Sequence, residues 1–394
     1  MLGAIIGDIV GSPYEFDQNN IKTKDFKLFS DRSFFTDDTV MSIAVADGLI
    51  AGYGNEELTE KELIKSLKKW GKFYPDSGYG IKFNNWLFSD ETNPYNSYGN
   101  GSAMRVSSCA WIYNNLRDVE KYAEITAKIT HNHPEGIKGA KSVASAIFLA
   151  RMGATKEYIR EYITETYGYV FRKCDEIRPN YMHVESCQET VPEAFSAFFE
   201  GESFEDVLRL SISLGGDSDT LAAISCSIAE AYYGIDENIS SLAFTYLDET
   251  IVDFLTYYYE ALSGLRAEKI SMMNKILEYL PYFDKKEIVR WLPTNNRKTP
   301  EFYANYGQKV NDLIKLMNNH NFVDFGYQKT IKRLKISSFK DAIPNANMLG
   351  VRAMLTSIIR RERFGVGTIS RAIADGLVSD LLRRYQEIVN NINI

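Results

Sequence analysis

Cysteine and histidine are scarce in this sequence, four of each in 394 residues, and neither is arranged for chelation. Cys109, Cys174, Cys187 and Cys226 are scattered with no paired spacing, which excludes a cysteine zinc site and a disulfide framework. His131 and His133 stand close together, but no third ligand follows at a useful interval, so zinc is excluded there as well. Long apolar runs are also missing. No stretch approaches the roughly 20 uninterrupted apolar residues of a membrane span, so no membrane association is expected. The apolar start lacks a basic lead-in, is interrupted by Asp8 and is followed by no small-residue cleavage site, so no signal peptide is predicted. A reducing cytoplasm suits such a chain. Strand-like alternation is rare, and there is neither a solenoid-length repeat nor a low-complexity tract.

What is present is a helical, unevenly charged chain. Its hydrophobic content of 45% can bury a substantial core, and its length suggests more than one domain. Apolar residues recur at helical spacing over Val40 to Ala51, Lys138 to Met152, Val191 to Phe199, Leu221 to Tyr233 and Ile239 to Leu262. Gly3, Gly7 and Gly11 recur every four residues, which on a helix gives one face without side chains where another backbone can approach. An irregular glycine-rich loop is the alternative. Asp76 to Asn100, rich in Gly, Asn, Pro, Ser and aromatics, reads as a long surface loop.

Residues 1–265 carry 23 basic and 40 acidic side chains, a balance of −17, whereas residues 266–394 carry 22 and 12, a balance of +10. A domain boundary near 265 follows, with a smaller, basic, mainly helical unit of unknown function at 266–394. Amphipathic patterns there run through Ile276 to Tyr282, Val310 to Met317, Met348 to Arg361 and Ile373 to Ile388. Its charge suits a nucleic acid, an acidic protein, or simple docking on the acidic part. A monomer is expected.

Two acidic clusters carry the chemistry, Thr36-Asp37-Asp38-Thr39 and Asp217-Ser218-Asp219-Thr220, each placed before a strongly apolar helix. Helix capping is the simplest explanation, since Asp and Thr oxygens accept hydrogen bonds from free N–H groups at helix starts. Capping uses one oxygen, however, and each cluster offers three or more, whose repulsion calls for a cation. The ligands are all hard oxygens, so Mg²⁺, Mn²⁺ or Ca²⁺ is expected. The four aspartates and flanking threonines could hold two ions, and a two-metal site suits hydrolysis.

Several motifs together resemble the ADP-ribosylglycohydrolase family, which includes dinitrogenase reductase-activating glycohydrolase and the ADP-ribosyl-acceptor hydrolases. They are Gly3 to Glu15, Phe35 to Thr39, Ser97 to Val106, Thr130-His131 and Leu214 to Thr220, in the family's order, covering roughly residues 1–262. The resemblance implies an all-α fold, two Mg²⁺ ions with Mn²⁺ as a substitute, and hydrolysis of an ADP-ribosyl bond at the anomeric carbon of a modified protein, nucleic acid or small molecule. It makes Thr36, Asp37 and Asp38 one metal-ligand set and Asp217, Asp219 and Thr220 the other. Glu15, on a loop that is mobile in the family, becomes the general base or acid beside Asp38. By the same resemblance, Ser97, Tyr98, Gly99, Asn100 and Gly101 are expected to contact the diphosphate and ribose under the Gly78-Tyr79-Gly80 loop, and His131 to be a ribose or phosphate contact. Taken alone, Asn100-Gly101 is equally a turn dipeptide and Glu15 equally a surface carboxylate. The competing functions are an ADP-ribose binder without hydrolysis and a metal-dependent hydrolase of another nucleotide-sugar bond. The stretch Arg360 to Gly367, with Ala374-Asp375-Gly376, resembles a small uncharacterised bacterial helical domain.

Overall fold

In the computed structural model, the structure is described for residues 1–283, 289–293, 302–319, 322–362 and 367–390; Arg363 to Val366 of the C-terminal motif lie outside the described residues. The chain forms two compact units, one of residues 1–151 and 155–262, the other of 152–154 and 263–394.

The first unit is a stack of helices whose order follows from where apolar faces and glycines fall. α1 (Leu2–Gly11) is buried along almost its whole length. A Cβ at Gly3 would stand 2.3 Å from the Cys226 carbonyl oxygen, one at Gly7 2.4 Å from Ala222 backbone and one at Gly11 2.5 Å from the Asp219 Cα. The glycine stripe is therefore a helix face, and it lets α1 lie backbone to backbone along Ser218–Tyr233. α2 (Asp37–Ala51) packs beside α1 and against α3 (Glu56–Phe73). α4 (Ile81–Phe88), α5 (Gly101–Met104), α6 (Ser107–Ile112) and α7 (Leu116–Lys128) lead to the long α8 (Pro134–Arg151). α9 (Lys156–Tyr167), α10 (Cys174–Ile177), α11 (Cys187–Glu200) and α12 (Phe204–Leu214) precede α13 (Ser218–Tyr233), which touches α1, α8, α11 and α12 and forms the unit's axis. α14 (Glu237–Phe244) follows, and then α15 (Glu249–Leu277), whose residues up to Leu262 belong to this unit and the rest to the second.

In the second unit α16 (Leu280–Phe283) precedes an antiparallel pair, β1 (Val289–Pro293) with β2 (Phe302–Tyr306), Val289 opposite Tyr306. Then come α17 (Gln308–Asn319), α18 (Tyr327–Arg333), α19 (Phe339–Ala342), α20 (Met348–Arg361), α21 (Thr368–Ala374) and α22 (Leu377–Asn390). Met354, Leu381 and Tyr385 are at the centre of its own hydrophobic core. The all-α class expected of the sequence holds, with this one two-stranded ladder among the described residues.

Four segments differ from their expected form, the first being Ile276 to Tyr282, which is divided between the end of α15 and α16. The Asp76 to Asn100 stretch contains α4, which Phe83, Trp86 and Leu87 bury. The single helix expected over Ile239 to Leu262 is broken before α15, where the Asp248 carboxylate accepts from the Ile251 N–H at 2.9 Å and starts a new helix. Ile373 to Ile388 is likewise two helices, parted at Gly376 with φ 77°. No described helix is long and apolar enough to cross a membrane.

Candidate active site

The starts of α2 and α13 meet at the end of α1, because the glycine stripe brings Gly11 onto Asp219. Thr36 is the N-cap of α2, its hydroxyl oxygen accepting from the Asp38 N–H at 3.3 Å, so capping is part of what the first cluster does. Asp217 stands at the N-cap of α13 but makes no capping bond; its Oδ2 accepts from the Asn100 side-chain amide at 2.7 Å. The two clusters are joined directly. Thr220 Oγ1 donates to Asp38 Oδ2 at 3.1 Å, while Asp38 Oδ1, equally buried, has no partner. Glu15 follows a short 3₁₀ turn after α1, and one oxygen each of Glu15, Asp217 and Asp219 lie within 4.8 Å of one another.

So many carboxylates in one buried space repel one another. Asp37, Asp38 and Asp219 are held well above the usual carboxylate range, by burial first and then by their acidic neighbours. Glu15 is pushed up to about 7 by burial and then by Asp217. Asp8, a residue the sequence reading did not place in the site, is fully buried in α1. Its Oδ2 accepts from the N–H of Thr36 at 2.9 Å, the N–H of Thr39 at 3.0 Å and the Thr39 hydroxyl, and its Oδ1 accepts from the Thr36 hydroxyl at 2.8 Å. Burial raises it to about 6 against the pull of those four bonds. The available signal was one carboxylate inside an otherwise apolar and glycine helix.

The residues expected to hold a diphosphate form a second layer. The backbone of Ser97 to Gly101 is pinned to the segment before α11: Cys187 donates to the Tyr98 carbonyl at 2.9 Å and Asn100 to the Glu185 carbonyl at 2.7 Å. The Gly99 N–H is turned back on Ser97 Oγ at 3.1 Å. The Ser97 N–H donates to the Thr130 carbonyl at 3.4 Å, so the N–H groups of Tyr98, Gly101 and Ser102 are the ones left without a bond in this stretch among the described residues. Asn100, buried, links this layer to the acidic cluster through Asp217 and Thr190.

His131 is buried beneath the same turn, its Nε2 3.3 Å from where a Cβ on Gly101 would be and 3.4 Å from one on Gly99. The fully buried Arg105 donates to Thr130 Oγ1 at 2.8 Å, and Thr130 Oγ1 shares a hydrogen bond with His131 Nδ1 at 2.7 Å. Burial and then Arg105 keep the His131 pKa well below the usual histidine value, so the ring is neutral. His133 accepts from the Glu135 N–H at 3.1 Å and shapes the start of α8. The Gly78 to Gly80 turn lies over the first cluster, where Asp37 donates its N–H to the Ser77 carbonyl at 2.7 Å and a Cβ on Gly78 would be 3.7 Å from Asp37 Oδ1; Gly80 itself is exposed and caps α4.

The model of the ADP-ribosylglycohydrolase family matches residues 1–257, well over half the chain. The chain belongs to that family. ADP-ribosylglycohydrolases are enzymes that hydrolyse ADP-ribosyl glycosidic bonds, and the acidic cluster agrees with the metal dependence general to them. Residues 269–391 match a family of unknown function. Among curated relatives, the ADP-ribosylhydrolase ARH3 of Homo sapiens is 27% identical over 60% of this chain and 85% of its own length. The ADP-ribosylarginine hydrolase Tri1 of Pseudomonas putida is 25% identical over 60% of this chain and 70% of its own. A solved ADP-ribosylglycohydrolase-related protein complex shares the fold, with TM-score 0.50 and 22% identity over 67% of this chain and 96% of that one.

Proposed function

We propose that this ADP-ribosylglycohydrolase releases ADP-ribose from a modified macromolecule in a Mg²⁺-dependent reaction centred on Glu15 and the Thr36 to Asp38 and Asp217 to Thr220 clusters. The observation that carries this reading is the buried carboxylate group in which Asp38 Oδ1 has no partner while its neighbours repel one another. A purely structural cluster would have been satisfied by protein donors. The donor set fits hard divalent cations: Thr36, Asp37 and Asp38 from one helix start, Asp217, Asp219 and Thr220 from the other, oxygens throughout. A bound pair of such ions supplies charge stabilisation near the anomeric carbon and a fixed seat for the ribose hydroxyls.

The remaining work falls to the chain's own groups. Glu15, beside Asp217 and Asp219, takes a proton from the attacking water as the water oxygen bonds to the anomeric carbon, and passes it to the acceptor atom, which leaves with the electron pair of the broken bond. Tyr98, Gly101 and Ser102 offer N–H groups, and His131 its Nε2, to the diphosphate and ribose, with Ser97 to Asn100 shaping the turn and Gly80 bordering it. The unpaired, buried cysteines suit a reducing cytoplasm. The basic 266–394 segment, in this reading, holds an anionic macromolecule for the hydrolase. ADP-ribose release is the test, measured on proteins modified at arginine or serine and on modified nucleic acid, with Mg²⁺ present or chelated. Asp38→Ala and Asp219→Ala abolish release, and Glu15→Gln slows it at least about 100-fold. Full activity of either aspartate variant, or indifference to chelation, refutes the metal-centred reading.

A further inference from the structure

Between Phe325 and Lys340 the chain has five basic residues and no acidic one. α18 and its flanks sort these residues sharply. Thr330 is buried and Leu334 partly buried against α20, whereas Phe325, Gln328, Lys329, Lys332 and Lys335 are all exposed. Gln328, Lys329 and Lys332, one, three and four residues apart, share the outer side of α18, with Phe325 just before the helix and Lys335 just after it. Lys329 and Lys332 are about 4.5 Å apart along the axis of α18, and Lys335 follows just past the end of the helix with φ 53°, so the row offers successive cations to neighbouring phosphates. None of the three makes an ion pair among the described residues.

The end of α20 completes the surface. The Arg360 guanidinium lies 5.6 Å from the Phe325 ring and that of Arg361 5.9 Å from the Phe339 ring. Phe325 nevertheless stays 65% exposed. Of the acidic groups nearby, Asp324 Oδ1 accepts from the Gly326 N–H, and Glu362 accepts with both oxygens from the N–H groups of Gly367 and Ile369. Both carboxylates are thus engaged by backbone N–H groups.

We infer that this stripe is a binding surface for single-stranded nucleic acid, with Lys329, Lys332 and Lys335 on the phosphates and Phe325, backed by Arg360, as a stacking platform for a base. An acidic protein would use the lysines, but it gives no reason for an exposed aromatic ring held under a guanidinium at the head of a cationic row. A flat π-face beside a cationic track is what unpaired bases require. The inference concerns the second unit alone and stands whether or not the hydrolytic reading is correct.

The test uses the full chain and fluorescence anisotropy with labelled 20-nucleotide single strands of DNA and RNA, titrated at several salt concentrations. Wild type binds, and binding weakens steeply with salt. Lys329→Gln/Lys332→Gln/Lys335→Gln lowers the slope of log affinity against log salt by about 2, as three lost phosphate contacts on a single strand require. Phe325→Ala weakens binding at least about fivefold with little change in that slope. ADP-ribose release from a small substrate is unchanged in all variants, which separates this result from any failure of the hydrolase. No binding at 50 mM salt overturns the inference. So does wild-type affinity in the triple variant, or displacement of the strand by polyglutamate as effectively as by unlabelled strand combined with no effect of Phe325→Ala, which would mark an acidic-protein surface.

Discussion

Replacing Asp8 by asparagine removes one buried charge from the site and reverses one hydrogen bond there. With its amide oxygen in the place of Oδ2, the new side chain still accepts from the N–H groups of Thr36 and Thr39 and from the Thr39 hydroxyl. At the place of Oδ1 it can only donate. The Thr36 hydroxyl, which donates there at 2.8 Å, must now accept, and it already accepts from the Asp38 N–H. Its hydrogen is left to point into the carboxylate cluster, where the native threonine presents a lone pair. A group that orients a metal ligand from behind is worth roughly 10–100-fold in metal affinity, or about 1.4–2.7 kcal/mol. The fold itself should not suffer: three of four bonds remain and one charge leaves a crowded acidic space. Titration with Mn²⁺ followed by electron paramagnetic resonance reads the affinity, and thermal unfolding in chelator reads the fold. Because the lost charge also weakens cation binding, the decisive comparison is Asp8→Asn in a Thr36→Val background. If the loss is as large there as in wild type, the Thr36 hydroxyl is not the route and the reasoning fails.

Other outcomes follow from the same geometry. Gly7→Ala puts a Cβ 2.4 Å from the Ala222 backbone and should destabilise the first unit by about 1–3 kcal/mol, seen as a lower midpoint in urea. Asn100→Asp sets a carboxylate against Asp217 in place of the 2.7 Å amide bond; Mn²⁺ affinity should fall more than in Asn100→Ala, and an equal fall would show that repulsion is not the cause. Asp8 at about 6 and Glu15 at about 7 are raised above their unfolded values, so between pH 4 and pH 7 the unfolded chain loses these protons first. Metal-free protein should therefore lose stability as pH rises through that window, and saturating Mg²⁺ should restore it at pH 7; a flat profile in chelator contradicts the repulsion on which the metal site rests. Asp38→Asn should raise the melting temperature in chelator and remove most of the rise that Mg²⁺ produces in wild type.

What the sequence determined by itself was local or compositional. Helix formation, the clear face of Gly3, Gly7 and Gly11, and the oxygen character of the two clusters all follow from residue type and spacing over a few turns, and the ordered motifs added the family. Tertiary structure alone decided what those groups meet. Capping and metal binding look alike at a helix start, and only the meeting of α2 with α13, set by the close passage of α1, shows Thr220 bonded to Asp38 across 182 residues and Asp38 Oδ1 left over. Asp8 read as a blemish in an apolar helix because its four partners lie 28 and 31 residues away. In the Ser97 to Gly101 turn three N–H groups are already taken: Gly99 by the nearby Ser97 hydroxyl, but Ser97 by the Thr130 carbonyl and Asn100 by the Glu185 carbonyl, both on distant segments. A backbone group can serve a ligand only if the fold has left it unbonded, and that depends on packing between parts of the chain that no local pattern relates.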